Sequence, residues 1–225
     1  MYKRQNPLRR YFENNDSHLI NKWLHYFDIY HSYLKKFRGK KITVLEFGVS
    51  HGGSLQMWKQ YFGRRARIIG VDILEECKKL EEKRVEIYIG DQEDREFLRK
   101  LMKEIGPVDV VIEDGGHEMK QQIHTFEEVF PHLRNNGVYI AEDLHTSYWK
   151  RFGGSYRKKG TFVEFAKGLI DDINAWHTEN EKQFKPNAYT KTIKAMHIFD
   201  SVVVFEKASI SRPEKKKTGH KTVDQ

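Results

Sequence analysis

The sequence of 225 residues predicts an α/β protein: a mostly parallel sheet with an antiparallel final strand and helices on both faces. Three observations predict it. Short apolar runs alternate with segments of helical periodicity along residues 42–141, the order that right-handed crossovers turn into a parallel sheet. The runs are nearly continuous rather than alternating, as in KKITVLEFGV, which marks strands buried on both faces. Near the end, TIKAMHIFDSVVVFEKA reads as two strands around Phe199-Asp200-Ser201. So short a connection holds no crossover helix, which makes these two strands antiparallel neighbours.

Taken in order, Leu19, Trp23, Tyr26, Phe27, Tyr30 and Tyr33 recur every three or four residues, which predicts a helix over 18–37 capped by Asp16 or Ser17. Strands fit 42–47, 67–72, 85–89, 108–113 and 137–141. Helices fit 54–62, 75–82, 93–104, 118–130 and 161–177. The segment SRPEKKKTGHKTVDQ has almost nothing to bury and is expected to be disordered. The organisation is thus an N-terminal aromatic helical segment over 1–40, a ligand-binding domain over 41–208 and a basic tail over 209–225. So many large rings on the first helix predict burial against the body or a second copy, hence a homo-oligomer.

Composition narrows the function. The single cysteine, Cys77, rules out an intrachain disulfide and a Cys-rich metal site. No apolar stretch is long enough to span a membrane, and MYKRQNPLRRYFENND has no apolar region behind its basic residues. No membrane partner and a cytoplasmic location are therefore expected. The net charge is +8, but residues 1–10 carry +4 and residues 209–225 carry +3. A body left near neutral argues against a nucleic-acid partner.

The turn Glu46-Phe47-Gly48-Val49-Ser50-His51-Gly52-Gly53-Ser54 falls where the first strand ends and a helix begins. Gly48, Gly52 and Gly53 let a ligand approach the backbone, and the N–H groups about Ser50 can meet an anionic group. Asp72 ends the next strand, placed to accept two ribose hydroxyls, and Asp91 ends the third, on the adenine side of a nucleoside. The pattern fits a dinucleotide or S-adenosylmethionine. There is no G-x-G-x-x-G and no P-loop. An acid at Glu46 suits a cationic sulfonium better than a pyrophosphate.

Two acidic clusters end the fourth and fifth strands: Glu113-Asp114-Gly115-Gly116-His117 and Glu142-Asp143, with His145 beyond. Asp114, Glu142 and Asp143 would give three oxygen ligands at one point, a set suited to Mg²⁺. His117 can lie over the metal as general base, with metal ligand as its alternative role. His51 and His145 lie in the same loops as further ligand candidates, and Tyr148 and Trp149 can wall an acceptor. The rival reading of these acids is solvated strand ends or helix caps.

The stretches VLEFGVSHGGSLQMWKQYFG, GVDI, IEDGGHEMKQQIHTF and YIAEDLHTSYW resemble class I S-adenosylmethionine-dependent methyltransferases. Within them, the resemblance is to the metal-dependent sugar O-methyltransferases of macrolide and polyketide tailoring, the mycinamicin VI 2''-O-methyltransferase type. It implies a Rossmann-like seven-stranded methyltransferase sheet with S-adenosylmethionine and Mg²⁺ as cofactors. Asp114, Glu142 and Asp143 are then the metal ligands and His117 the base. The acceptor is a small molecule with a free hydroxyl, such as a sugar. Those enzymes carry an extra N-terminal region, whereas about 40 residues precede the first strand here. A cephalosporin-hydroxylase-like branch shares much of the pattern. An NAD-dependent oxidoreductase or a non-catalytic nucleoside-binding scaffold could be built on a similar sheet.

Overall fold

A computed structural model describes residues 6–223. Seven strands form one sheet: β1 (Thr43–Phe47), β2 (Arg67–Asp72), β3 (Val85–Ile89), β4 (Val108–Glu113), β5 (Leu133–Ala141), β6 (Ile193–Phe199) and β7 (Val202–Lys207). Their order is β3-β2-β1-β4-β5-β7-β6. The first five run parallel, and β7 inserts antiparallel between β5 and β6. This is the predicted sheet, with its antiparallel final strand.

Strand side chains alternate between faces, and the sheet fills a core on each. Val44, Ile68, Val110 and Ile140 pack with α1 (Pro7–Glu13), α2 (Tyr26–Leu34) and α3 (Gly53–Phe62) on one face. Leu45, Ile69, Val111 and Tyr139 pack with α4 (Arg95–Ile105), α5 (Met119–Val129) and α6 (Phe162–Asn174) on the other. α4 starts where Asp94 accepts hydrogen bonds from the Glu96 and Phe97 amides, and a reciprocal Glu118–Gln121 capping box starts α5.

The structure departs from the sequence reading mainly at the N-terminus. The helix expected over 18–37 begins only at Tyr26, and residues 17–25 form an irregular strap. The strap's backbone presses on α3: a Cβ at Gly53 would lie 2.4 Å from the Leu19 carbonyl oxygen. Tertiary contact overrides periodicity there. A helix not foreseen, α1, is started by Asn6, whose side chain accepts from Leu8 N–H at 3.0 Å, with Pro7 at its first position. The helix expected over 75–82 is a 3-10 segment, Glu75–Leu80, burying only Cys77. No helix or strand follows Lys207 among the described residues, and no described helix is long and apolar enough to cross a membrane.

Candidate active site

Parallel pairing sets the ends of β1, β2, β4 and β5 side by side, and the loops that follow them face the crevice where open α/β sheets bind ligands. A cavity of about 460 Å³ opens there, lined by Gly48, Ser50, Asp72, Asp91, Asp114 and His117, among others. A second, of about 530 Å³, lies among Trp23, Tyr26, Glu142, His145, Trp149, Arg151 and Phe152. Asn21, Lys22, Asp114, His117 and Asp143 line both, so the cavities meet at a charged cluster.

The first cavity is built around a close approach of strand ends. Gly48 has φ +90°, and a Cβ on it would stand 2.0 Å from the Asp114 carbonyl oxygen. Only glycine permits that contact. Asp72 Oδ2 accepts from the Val49 and Ser50 amides at 2.8 and 2.9 Å, and its Oδ1 accepts from Leu74 N–H at 3.0 Å. Asp91 accepts from Glu93 N–H at 2.7 Å. Both carboxylates are thus fixed at the cavity wall.

Three residues of the expected cofactor set, Glu46, Gly52 and Gly53, line neither cavity. Glu46 shares the face of Val44, one step out of phase with Phe47, so its side chain turns under α3 rather than toward the crevice. There it accepts from Ser54 Oγ at 2.8 Å and Trp58 Nε1 at 3.0 Å, fully buried. Burial pushes its carboxyl up to about 7 even though Lys22 pulls the other way. Gly52 abuts Leu80, and Gly53 abuts the strap.

The charged cluster joins β4 and β5. His117 and Asp143 hold left-handed backbone, φ +59° and +53°, as does Ser50 at +48°. Such strain on non-glycine residues gathers at functional sites. Tyr26 donates its hydroxyl to Asp143 Oδ1 at 2.7 Å. His117 Nε2 lies 3.4 Å from Asp143 Oδ2 and 3.9 Å from Asp114 Oδ1, while its Nδ1 is buried without a hydrogen bond. One donor atom each from Asp114, His117 and Asp143 fall within 4.8 Å of one another.

Lys22, on the strap, is the residue that sequence reasoning missed. Its side chain is 3% exposed, and its ammonium pairs with Asp114 Oδ2 and, at 2.8 Å, with Glu142 Oε2. Burial alone would drive its pKa down, but Asp114, Glu142 and Glu46 more than reverse this and hold it charged. Burial also pushes the carboxyls of Asp114 and Glu142 up, and the Lys22 ammonium between them pulls the other way. Glu142 is fully buried, and its Oε1 completes no hydrogen bond within normal distance. The cluster therefore fits a cation: an ammonium already lies between two carboxylates, and a donor atom each from Asp114, His117 and Asp143 converges beside it. No sequence signal ties a lysine in an aromatic run to acids 92 and 120 positions away.

The remaining candidates divide. His145 and Trp149 line the second cavity with ring centroids 4.5 Å apart, and His145 Nδ1 lies 2.5 Å from Ser201 Oγ. His51 and Tyr148 are exposed and line neither cavity. Arg151, unforeseen, packs its guanidinium over Trp149 and Phe152 at 4.7 and 4.9 Å from the ring centroids.

Residues 45–144 match a family described as a methyltransferase domain. The mycinamicin VI 2''-O-methyltransferase of Micromonospora griseorubida is 35% identical over 196 residues, which cover 82% of this chain and 49% of that protein. The 8-demethyl-8-alpha-L-rhamnosyl tetracenomycin-C 2'-O-methyltransferase of Streptomyces olivaceus is 36% identical over 204 residues, 86% of this chain and 53% of that one. The solved structure of MycE methyltransferase from the mycinamycin biosynthetic pathway, in complex with Mg, SAH and mycinamycin VI, matches with a TM-score of 0.80. It is 31% identical and covers 91% of this chain and 53% of that chain. The chain spans about half the length of the curated relatives it matches. The resemblance drawn from the motifs, and the sheet it implied, are borne out.

Proposed function

We propose, from the premise that residues 45–144 are a methyltransferase domain in a chain similar to sugar O-methyltransferases, that this protein is an S-adenosylmethionine- and Mg²⁺-dependent O-methyltransferase. Its acceptor is a hydroxyl on a sugar or another small molecule with neighbouring hydroxyls. The observation that carries the reading is the junction of two cavities at Asp114, His117 and Asp143. A methyl donor in one cavity and an acceptor in the other would react where those residues stand.

Bound S-adenosylmethionine supplies an activated methyl group, and bound Mg²⁺ a Lewis acid that acidifies a chelated hydroxyl. The chain does the rest by placement. Asp72 accepts from the ribose hydroxyls, Asp91 lies at the adenine side, and Gly48 and Ser50 leave the backbone open to the cofactor. Asp114, Glu142 and Asp143 hold the metal. His117 takes the acceptor proton at Nε2, the ring nitrogen that faces the carboxylates. Trp23, Trp149 and Phe152 line the second cavity, where the acceptor would lie.

Metal binding and single-turnover methyl transfer on two variants test this. Asp114→Asn is expected to lose both Mg²⁺ affinity and turnover. His117→Ala is expected to keep metal and cofactor and to lose about 10²–10⁴ in rate, the usual worth of a general base. The grouping of His117 with Asp114 and Asp143 favours a second reading, in which the imidazole is itself a ligand. Loss of Mg²⁺ binding in His117→Ala would select that reading. Full activity after exhaustive chelation would sink both.

A further inference from the structure

Residues 17–25 cross the mouth of both cavities without forming helix or strand. Leu19 to Lys22 line the first and Asn21 to Leu24 the second. Few polar contacts hold this strap. The His18 carbonyl accepts from Asn15 Nδ2 at 2.8 Å, the Leu24 carbonyl from Arg9 at 3.4 Å, and Asn15 Oδ1 from Ser17 N–H at 3.4 Å, while His25 Nε2 lies 3.1 Å from the Asp200 carbonyl oxygen. Among the described residues, its ion pairs are those of Lys22, to Asp114 and Glu142. The lysine that closes the strap is thus tied to two of the carboxylates assigned above to the metal.

We propose that Lys22 and the divalent metal compete for the Asp114–Glu142 pair, so that Lys22 sets the metal affinity and links it to the position of the strap. The inference rests on the metal-dependent reading above. Glu142 is fully buried, Lys22 holds its Oε2 at 2.8 Å, and the buried Tyr30 hydroxyl is its other polar side-chain neighbour. A dication that reaches Glu142 meets the ammonium there. The arrangement also has a reason in the metal-free chain. Carboxylates crowded away from water repel one another, and removing one partner of a buried ion pair leaves an uncompensated charge. Lys22 offsets that charge until the metal arrives. Metal entry then exchanges one cation for another and frees the ammonium, and with it the strap that walls the cofactor cavity. Lys22 is therefore a positioning residue, acting through the carboxylates and the strap.

The test is calorimetric titration of the full chain with Mg²⁺ alone and with S-adenosylhomocysteine alone, for the wild type, Lys22→Met and Lys22→Arg. Lys22→Met is expected to bind Mg²⁺ about tenfold tighter or more, because a competing charge within contact distance is gone. It should bind S-adenosylhomocysteine more weakly, because the strap has lost its tie. Lys22→Arg should bind Mg²⁺ no tighter than the wild type. A merely structural lysine would move both affinities in the same, weaker direction. Unchanged or weaker Mg²⁺ affinity in folded Lys22→Met overturns the competition and leaves the metal reading standing. Absence of Mg²⁺ binding in all three, with S-adenosylhomocysteine still bound, overturns the metal reading and this inference with it. Should Lys22→Met fold only in the presence of Mg²⁺, trypsin on the wild type decides. Cleavage after Lys22 that Mg²⁺ accelerates supports displacement, and protection by Mg²⁺ overturns it.

Discussion

Glu46 sits among a serine hydroxyl, an indole N–H and apolar side chains, and burial raises its carboxyl to about 7. The folded chain therefore binds this proton more tightly than the unfolded chain, whose glutamate titrates near 4.5. The sign follows: the group's contribution to stability is full below the unfolded value and is lost as pH rises through about 7. Glu46→Gln keeps the shape and removes the titration. Denaturant unfolding at pH 5 and pH 8 should show the wild type losing about 2 kcal/mol relative to Glu46→Gln across that interval. Parallel pH profiles for the two proteins would show that Glu46 is ionised throughout. The same residue marks what could be read from the sequence at this scale. Asp72, Asp91, Asp114 and Asp143 lie in or just after the last positions of their strands, so topology alone brings them to the crevice. Glu46 stands one position earlier than the end of its strand, and the alternation of strand side chains turns it to the helical side.

The strap and α2 share one aromatic pattern but not one structure. Three- and four-residue spacing continues from Leu19 to Tyr33, yet the helix forms only from Tyr26, which donates to Asp143, onward. Upstream, Lys22 and the His18 and Leu19 carbonyls are engaged by the sheet edge and by α3. Helical geometry cannot satisfy both sets of contacts, and spacing carries no information about partners so distant in sequence. α1, by contrast, had a local signal in Asn6-Pro7. Gly53 tests the packing of these elements. Its missing Cβ leaves room for strap backbone, with the His18 carbonyl oxygen 2.5 Å and the Leu19 carbonyl oxygen 2.4 Å from where a Cβ would stand. Gly53→Ala must push the strap outward, since backbone cannot rotate aside as a side chain would. We expect a loss of about 1–3 kcal/mol in stability, typical of overpacking, together with weaker S-adenosylhomocysteine binding. Calorimetry on the folded variant checks the second effect. Unchanged affinity would mean that the strap contributes no binding energy to the cofactor cavity.

The whole molecule needs two cores, one on each face of the sheet, and the N-terminal segment supplies part of one. Leu8, Tyr26, Phe27, Tyr30 and Leu34 pack in the same cluster as Val44, Ile68 and Val110. The sheet itself was legible because doubly buried strands read as unbroken apolar runs, and because a short connection forces antiparallel pairing. The expectation of a homo-oligomer rested on a different premise, that Trp23, Tyr26, Phe27, Tyr30 and Tyr33 are too many rings for one chain to cover. One chain covers most of them. Tyr26, Phe27 and Tyr30 are each 1% exposed or less, and burial of such rings stabilises by about 1.5–3 kcal/mol each. Trp23 stays 54% exposed, at the mouth of the second cavity rather than on a flat outer face. With that premise reduced to Trp23 and the half-buried Tyr33, light scattering at micromolar concentration is expected to return the single-chain mass of 26.8 kDa. The result that would reverse this is a mass of two chains or more. The fold offers one place to look in that event: β6 is an edge strand, and it ends in the exposed side chains of Ile198 and Phe199. Its outer row of unpaired backbone groups is a template for a second copy. Phe199→Lys would then restore the single-chain mass and leave S-adenosylhomocysteine affinity unchanged, since Phe199 lines neither cavity.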